Sequence, residues 1–369
     1  MLTLLTTALL FLGVIFMLVL VHEWGHFAAA KRLGMRVEEF GIGFPPRLWG
    51  IRRGETEYTL NALPIGGFVR IFGEDPTETA EVPEAERARA FNSRPAWAQA
   101  VVLVAGVVMN VVFAWLLFVG VYLIGAPSAV DADAASADAR LVITQVLEES
   151  PLSGAVPPGA TIRTVSAGDA ILRDPTPATF SEFVANNAQT ELTLSYSIGR
   201  QEETVTVVPQ TGLIPNDPEA PAVGVALSLV DRVNYGIVGA ITQASVRTYQ
   251  TLVAIVTGLG GLIAGAVTGS ADLSQVAGPV GIAGLVGDAA AYGAATLATF
   301  IAVISLNLAV INLLPVPALD GGRLVFVAVE AVRGKAIDPV WAQRVNVAGF
   351  ALLMLLMLII TYRDIARLI

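Results

Sequence analysis

Residues Leu2 to Ala30 read LTLLTTALLFLGVIFMLVLVHEWGHFAAA, and the fold turns on this stretch. It is long enough to cross about 30 Å of hydrocarbon, yet it carries His22, Glu23 and His26 near its end. Ionisable groups inside an apolar helix each cost about 2.5 kcal/mol or more when left unpaired. Three of them in five residues therefore call for a partner. His22 and His26 stand at i and i+4, on one helix face, where both imidazoles can bind one cation. Glu23 adjoins His22 and can take a proton from water held at that ion. The chain has 2 histidines in all, and it spends both here. A polar helix end with no metal is the competing reading. Nine residues separate His22 from Lys31, about 13 Å of helix, so the site would lie below the headgroups and needs a sheltered water path. A signal peptide would explain the apolar run and Ala28-Ala29-Ala30, but no Lys or Arg precedes Lys31 and the run is too long for an h-region.

The rest of the composition agrees with a membrane protein. Of 369 residues, 54% are hydrophobic and 14% charged, against about 25% charged in soluble domains. A purely soluble globule is nearly excluded. The net charge of −9 argues against a nucleic-acid partner. With no cysteine, disulfides, Cys-based zinc sites and thiol nucleophiles are ruled out.

Three more stretches can span: Trp97–Ile124, Ala295–Val316 and Val345–Thr361. Residues 27–96 hold 10 Lys and Arg, whereas 126–292 hold 6 against 16 acidic residues. Positive-inside places the first loop in the cytoplasm and the long acidic loop outside, with Arg363 and Arg367 mildly against. Thr251–Gly269 is uncharged but Gly-rich, and is read as interfacial or re-entrant rather than as a crossing.

A catalytic zinc usually has three protein ligands, and no third histidine exists. The third must be Asp or Glu. Asp320, in NLLPVPALDGG (312–322), is the best candidate, because Pro315 and Pro317 break the third span there. Asp-Gly also commonly just ends a turn. Parity favours the ligand: spans one and three run in the same direction, so both motifs reach one face. A further crossing at 251–269 would separate them.

The acidic loop begins with a linker, 127–139, followed by β-rich runs Leu141–Leu147, Thr161–Val165, Glu191–Ile198, Thr204–Val208 and Val223–Leu229, and a helix Phe180–Ala188. Ser150-Pro151-Leu152 and Pro158-Gly159-Ala160-Thr161-Ile162 give this region a resemblance to a PDZ domain, though Ala160 stands where an acidic residue is usual. It serves as a peptide-binding groove or as a structural cap. The cytoplasmic loop is also β-like over Val37–Gly43 and Glu57–Phe72, and such a sheet can offer an open edge to an extended peptide. Residues 74–90 read as a mobile solvated segment.

HEWGH (22–26), FGIGFPP (40–46), LPIGGFVRIFGE (63–74), FNSRPAW (91–97) with Asn110, GPVGI (278–282) and NLLPVPALDGG (312–322), in this order, resemble the site-2 protease family of intramembrane zinc metalloproteases, in particular the bacterial regulator of sigma-E protease group. The resemblance implies Zn2+ on His22, His26 and Asp320, with Glu23 as catalytic base. It implies that Asn312 steadies an unwound substrate backbone. It also implies that Gly41, Ile42 and Gly43 lie in a membrane-reentrant β element that receives substrate as an added strand. Arg323 replaces a frequent His, and should not touch the metal.

The expected fold is a polytopic α-helical membrane protein with four transmembrane helices, a membrane-associated cytoplasmic β element and an inserted extracytoplasmic PDZ-like domain. Its parts are the first span with HEWGH (1–35), the cytoplasmic loop (36–96), the second span (97–126), the linker (127–139) and the PDZ-like domain (140–230). Then come an interfacial segment (231–292), the third span (293–322), a cytoplasmic link (323–343) and the fourth span with the tail (344–369). The expected location is the bacterial inner membrane. The expected partners are the lipid bilayer and single-span membrane proteins or peptides as substrates, such as anti-sigma factors or signal-peptide remnants. A non-catalytic, membrane-anchored PDZ scaffold is the alternative; a metal transporter would want ionisable groups in spans two and four, which have none.

Overall fold

The computed structural model describes residues 4–74, 83–147, 149–199, 201–214, 217–270 and 276–368. In chain order its first elements are α1 (Leu4–Arg32), β1 (Val37–Arg53), β2 (Thr56–Ile71), α2 (Glu84–Arg87), α3 (Ala96–Ile124) and β3 (Ala126–Ala129). Next are β4 (Arg140–Val146), β5 (Thr161–Ala167), β6 (Ala170–Arg173), α4 (Pro177–Asn186), β7 (Leu192–Ile198), β8 (Gln201–Val207) and β9 (Val225–Val233). The last are α5 (Gly236–Thr268), α6 (Pro279–Ala291), α7 (Ala294–Asn312), α8 (Asp320–Arg333) and α9 (Pro339–Leu368). They form two compact units: Met1–Val119, Ile241–Ala290 and Thr296–Ile369 make one, and Gly120–Ala240 with Ala291–Ala295 the other.

In the first unit, α1, α3, α5, α7 and α9 are, among the described residues, long and apolar enough to cross a membrane. Large apolar side chains such as Val347, Phe350, Leu352 and Leu355 on α9 are exposed; on a soluble protein such a surface would aggregate, whereas lipid is its natural solvent. Lys31 and Arg32 close the last turn of α1, where cations suit the helix dipole. α7 stops at Asn312, four residues short of the expected Val316, because Pro315 and Pro317 cannot continue the hydrogen-bond ladder.

Of the two readings of Thr251–Gly269, interfacial or re-entrant, the second does not hold: Thr251–Thr268 belongs to one unbroken 33-residue helix, so no fold-back occurs within it. Ala240, Ala244 and Thr248 are buried at i, i+4 and i+8, and Ser245 takes the Trp115 indole N–H at 3.0 Å, so the first half of α5 touches α3 there. Farther on, a Cβ on Gly258, Gly260 or Gly261 would meet nothing within 4 Å.

β1 and β2 make a long bulged hairpin that folds over itself. Phe40, Gly41 and Ile42 pair with Val69, Phe68 and Gly67 on one side and with Tyr58, Thr59 and Leu60 on the other. The same stretch of β2 pairs outward with 49–51. Among the described residues the sheet therefore has free edges along 67–71 and 47–53, and Gly41 and Ile42 are interior. Phe27, Met35, Val37, Phe40, Ile71 and Leu103 join α1, the hairpin and α3 in one core. At the far end of the hairpin a Cβ on Gly66 would lie 3.1 Å from Val19, so the sheet descends along α1 past His22. Of the segment expected to be mobile, 75–82 lie outside the described residues. The remainder is anchored: Arg89 bonds Glu55 at 2.9 Å, Arg36 bonds Glu86 at 2.7 Å, and Ala90 is fully buried.

The second unit is an antiparallel sheet in the order β3-β9-β4-β5-β7-β8, with β6 paired to β5. Leu141, Ile143, Ile162, Leu192, Leu194 and Tyr196 form its core with Phe180 and Val184 from α4. Thr176 and Thr179 cap α4 reciprocally, ahead of Pro177 at its first position. Ser150 donates to the Val223 carbonyl at 2.7 Å and accepts from Leu152 N–H, fixing the Ser-Pro-Leu turn. The expected linker starts as structure: Ala126–Ala129 pairs with β9. Pro127 is tolerated because β3 is an edge strand.

Candidate metal centre

Two helices and one turn build the site. His22 and His26 project from one face of α1, with Nε2 atoms 3.1 Å apart. Asp320 begins α8, with its Oδ2 2.9 Å from His22 Nε2 and 3.3 Å from His26 Nε2. The three donors converge on one point, and both histidines are buried. Two imidazole nitrogens and one carboxylate oxygen suit zinc, which takes N and O ligands and leaves a fourth position open in catalytic sites. His26 Nδ1 donates to the Val102 carbonyl at 2.8 Å, leaving Nε2 free to face the acid. The residues present fit the ion.

α3 shapes the back of the site. Val102, Gly106 and Asn110 recur at i, i+4 and i+8, facing the imidazoles. A Cβ on Gly106 would run into His26 Nε2 and His22 Cε1, so a glycine is required where this helix passes the rings. Asn110 is fully buried, with its Nδ2 3.2 Å from His22 Nδ1. Apart from Asn110, named only within a motif, sequence reasoning missed this stripe. The signal was an amide in the middle of an apolar helix; a glycine and a main-chain carbonyl give none.

The turn after α7 aims the acid. Val316 N–H reaches Leu314 O at 2.7 Å and Arg323 N–H reaches Leu319 O at 3.1 Å, while Ala318 sits at a φ of 75°. A Cβ on Gly321 would strike the Leu313 and Leu314 carbonyl oxygens, and one on Gly322 the Val316 carbonyl. The Asp-Gly-Gly sequence lets α8 start directly over that turn.

Glu23, His26 and Asp320 line a cavity of about 190 Å³ with Phe68, Glu74 and Arg323. Glu23 thus shares the space in which the ligand atoms meet. Arg323 does not reach the donors; it pairs with Glu74 at 3.2 Å. Burial pushes the Glu74 carboxyl up, and the Arg323 charge opposes that. Asn312 Nδ2 lies 3.4 Å from His22 Nε2, at the rim of the donor set. Gly41, Ile42 and Gly43 are not at an edge. Gly41 makes room for the Phe68 ring, and Gly43 adopts a φ of 78° with the Leu63 carbonyl 2.6 Å from where a Cβ would be. The edge run beside the cavity is 67–71, which contributes Phe68, Val69 and Ile71 to its wall.

The chain belongs to peptidase family M50, the site-2 protease family, which it matches over residues 10–356. It is a zinc metalloprotease of that type. It is 35% identical over 356 residues to a protein of Clostridium perfringens, covering 94% of this chain and 95% of that one. To the zinc metalloprotease RasP of Geobacillus kaustophilus it is 32% identical over 431 residues, 95% of each chain. To the regulator of sigma-W protease RasP of Bacillus subtilis it is 29% identical over 438 residues, 98% of this chain and 99% of that one. A PDZ domain from Listeria monocytogenes matches 25% of this chain and 90% of its own at 13% identity, with a TM-score of 0.21.

Proposed function

We propose that His22, His26 and Asp320 hold the zinc, and that Glu23 is the general base of an intramembrane endopeptidase. The observation that carries this is the convergence of two imidazoles and an acid from opposite ends of the chain, within 3.3 Å. Bound zinc supplies a Lewis acid that makes water a nucleophile near neutral pH. Glu23 takes the proton of the attacking water and delivers it to the departing amide nitrogen, so one carboxylate serves both halves of the hydrolysis. Asn312, at the rim of the donor set, is positioned to hold the carbonyl of an unwound substrate.

The substrate is a membrane-embedded peptide segment. A helix hides its peptide bonds in i→i−4 hydrogen bonds, and orphaned backbone groups are expensive in lipid. The 67–71 edge offers replacement bonds beside Glu23 as the substrate unwinds. Four helices, α1, α3, α7 and α9, cross the bilayer, and α5 with its return makes no net crossing. Two contacts support this parity: Gly278 and Gly281 N–H groups bond Asp364 near the end of α9, at 3.2 and 2.8 Å, and Gly287 lies against Thr7 near the start of α1. Loop charge supports an extracytoplasmic side for the β-rich domain, where a PDZ-like fold would exclude bulky substrates. Regulators of sigma factors, in keeping with the name of the Bacillus relative, are the substrate class.

Glu23→Gln is the test. The variant should bind zinc as the unaltered chain does, yet leave a single-span test substrate intact. Undiminished cleavage would refute the assignment of the base.

A further inference from the structure

Asn110 is buried without exposure in the middle of α3, and one of its two polar atoms is badly used. Its Nδ2 faces His22 Nδ1 at 3.2 Å, while its Oδ1 is buried and, among the described residues, has no hydrogen-bond partner. Its backbone is pinned, since its carbonyl accepts the Ser305 hydroxyl at 2.8 Å, so the side chain cannot drift off the ring. An amide's oxygen and nitrogen are nearly the same size, so the side chain fits its surroundings either way round. A neutral imidazole carries one proton. If its Nε2 is committed to a cation, that proton must be on Nδ1 and needs an acceptor. With Nδ2 toward the ring, an N–H of Asn110 would face an N–H of His22. Turning the amide by 180° removes that clash and gives Oδ1 the Nδ1 proton, with Nδ2 then taking the side that has no partner among the described residues.

We propose that Asn110 is a positioning residue whose Oδ1 accepts the Nδ1 proton of His22, fixing the tautomer that presents Nε2 to zinc. The neighbouring turn of α3 already does this for the other ring, where Val102 O accepts from His26 Nδ1 at 2.8 Å. One helix face thus supplies an acceptor for each histidine, with Gly106 between them leaving room for both rings. The inference rests on His22 being a zinc ligand.

Because the chain has 2 histidines, 15N-histidine labelling of the zinc-loaded full chain gives only four ring nitrogens to assign. The expected spectrum has two protonated Nδ1 and two metal-bound Nε2 atoms. An unprotonated Nδ1 on metal-bound His22 would overturn the proposal, whatever any variant does. Zinc competition against a chelator supplies the second arm. Asn110→Leu, which removes the acceptor, should weaken zinc by about 10–100-fold, while Asn110→Asp, which keeps an acceptor but has no N–H, should stay within about threefold of the unaltered chain. Zinc retained in full by Asn110→Leu, or lost equally in both, would contradict it. Failure of the ligand reading itself looks different: His22→Ala would then keep its zinc.

Discussion

Asp320 Oδ2 stands 2.9 Å from His22 Nε2 across 298 residues of chain. Two local devices produce that approach. On one side, α3 carries a glycine where it passes the imidazoles. On the other, the turn after α7 is broken by two prolines and closed by two glycines, so that α8 begins pointing its first carboxylate at α1. The glycines and prolines offer no donor atom themselves, yet they set where the two imidazoles and the carboxylate meet.

Gly321→Ala tests the second device. The added methyl would enter the Leu313 and Leu314 carbonyls, and backbone oxygens cannot rotate aside. The start of α8 must shift and carry Asp320 away from the rings. Zinc affinity should fall at least about 10-fold, and stability by about 1–3 kcal/mol, read by chelator competition and by thermal unfolding in detergent. Gly284→Ala, with nothing within 4 Å of the new methyl, should lower neither.

The strand-edge proposal can be tested through the absence of cysteine. Val69→Cys puts the sole thiol on the cavity edge, and Ile51→Cys puts it on the opposite edge of the same sheet. In a Glu23→Gln background, a single-span substrate carrying one cysteine should form a disulfide with the first and not with the second. Equal crosslinking at both edges would remove the 67–71 run from the account.

Glu55, at the hairpin turn, makes an acid-sensitive tie. Hydrogen bonds from Arg89 and Lys31 outweigh burial and hold its carboxyl at about 2 rather than 4.5. A carboxyl depressed in the folded state stabilises fully above its unfolded value and loses that contribution as pH falls through its folded one. The window here runs from about 4.5 down to about 2. Glu55→Gln should therefore speed amide exchange in residues 56–60 at pH 7, and most of its difference from the unaltered chain should be gone by pH 2. A difference that persists unchanged at pH 2 would mean the tie is not electrostatic.

What the sequence disclosed, and what it hid, follows from locality. His22 and His26 are four residues apart, so their shared face is dictated by helix geometry. The lack of a third histidine limits the third donor to Asp or Glu, and the Pro-broken end of the third span, on the same face by parity, points to Asp320. The pairing inside the hairpin could not be read: whether Gly41 is edge or interior depends on β2 returning twice against β1, a register that no alternation pattern encodes. Val102 and Gly106 were equally silent, because one acts through a carbonyl common to all residues and the other through lacking a side chain. The Gly-rich composition of 251–269 spoke of poor helix formers, yet the helix runs unbroken to Thr268, since propensity is a weak prior. The strands of the β-rich domain were legible to within a few residues, except the short edge strands β3 and β6, one hidden by a proline and the other by its four-residue length.

Zinc per chain, measured on the purified full-length protein before and after Asp320→Ala, bears most directly on the centre. The unaltered chain should carry one zinc, and the variant should lose it at chelator concentrations the unaltered chain withstands. A variant that retains its full complement would show that this acid is not a ligand, and the arrangement described above would not be the catalytic site.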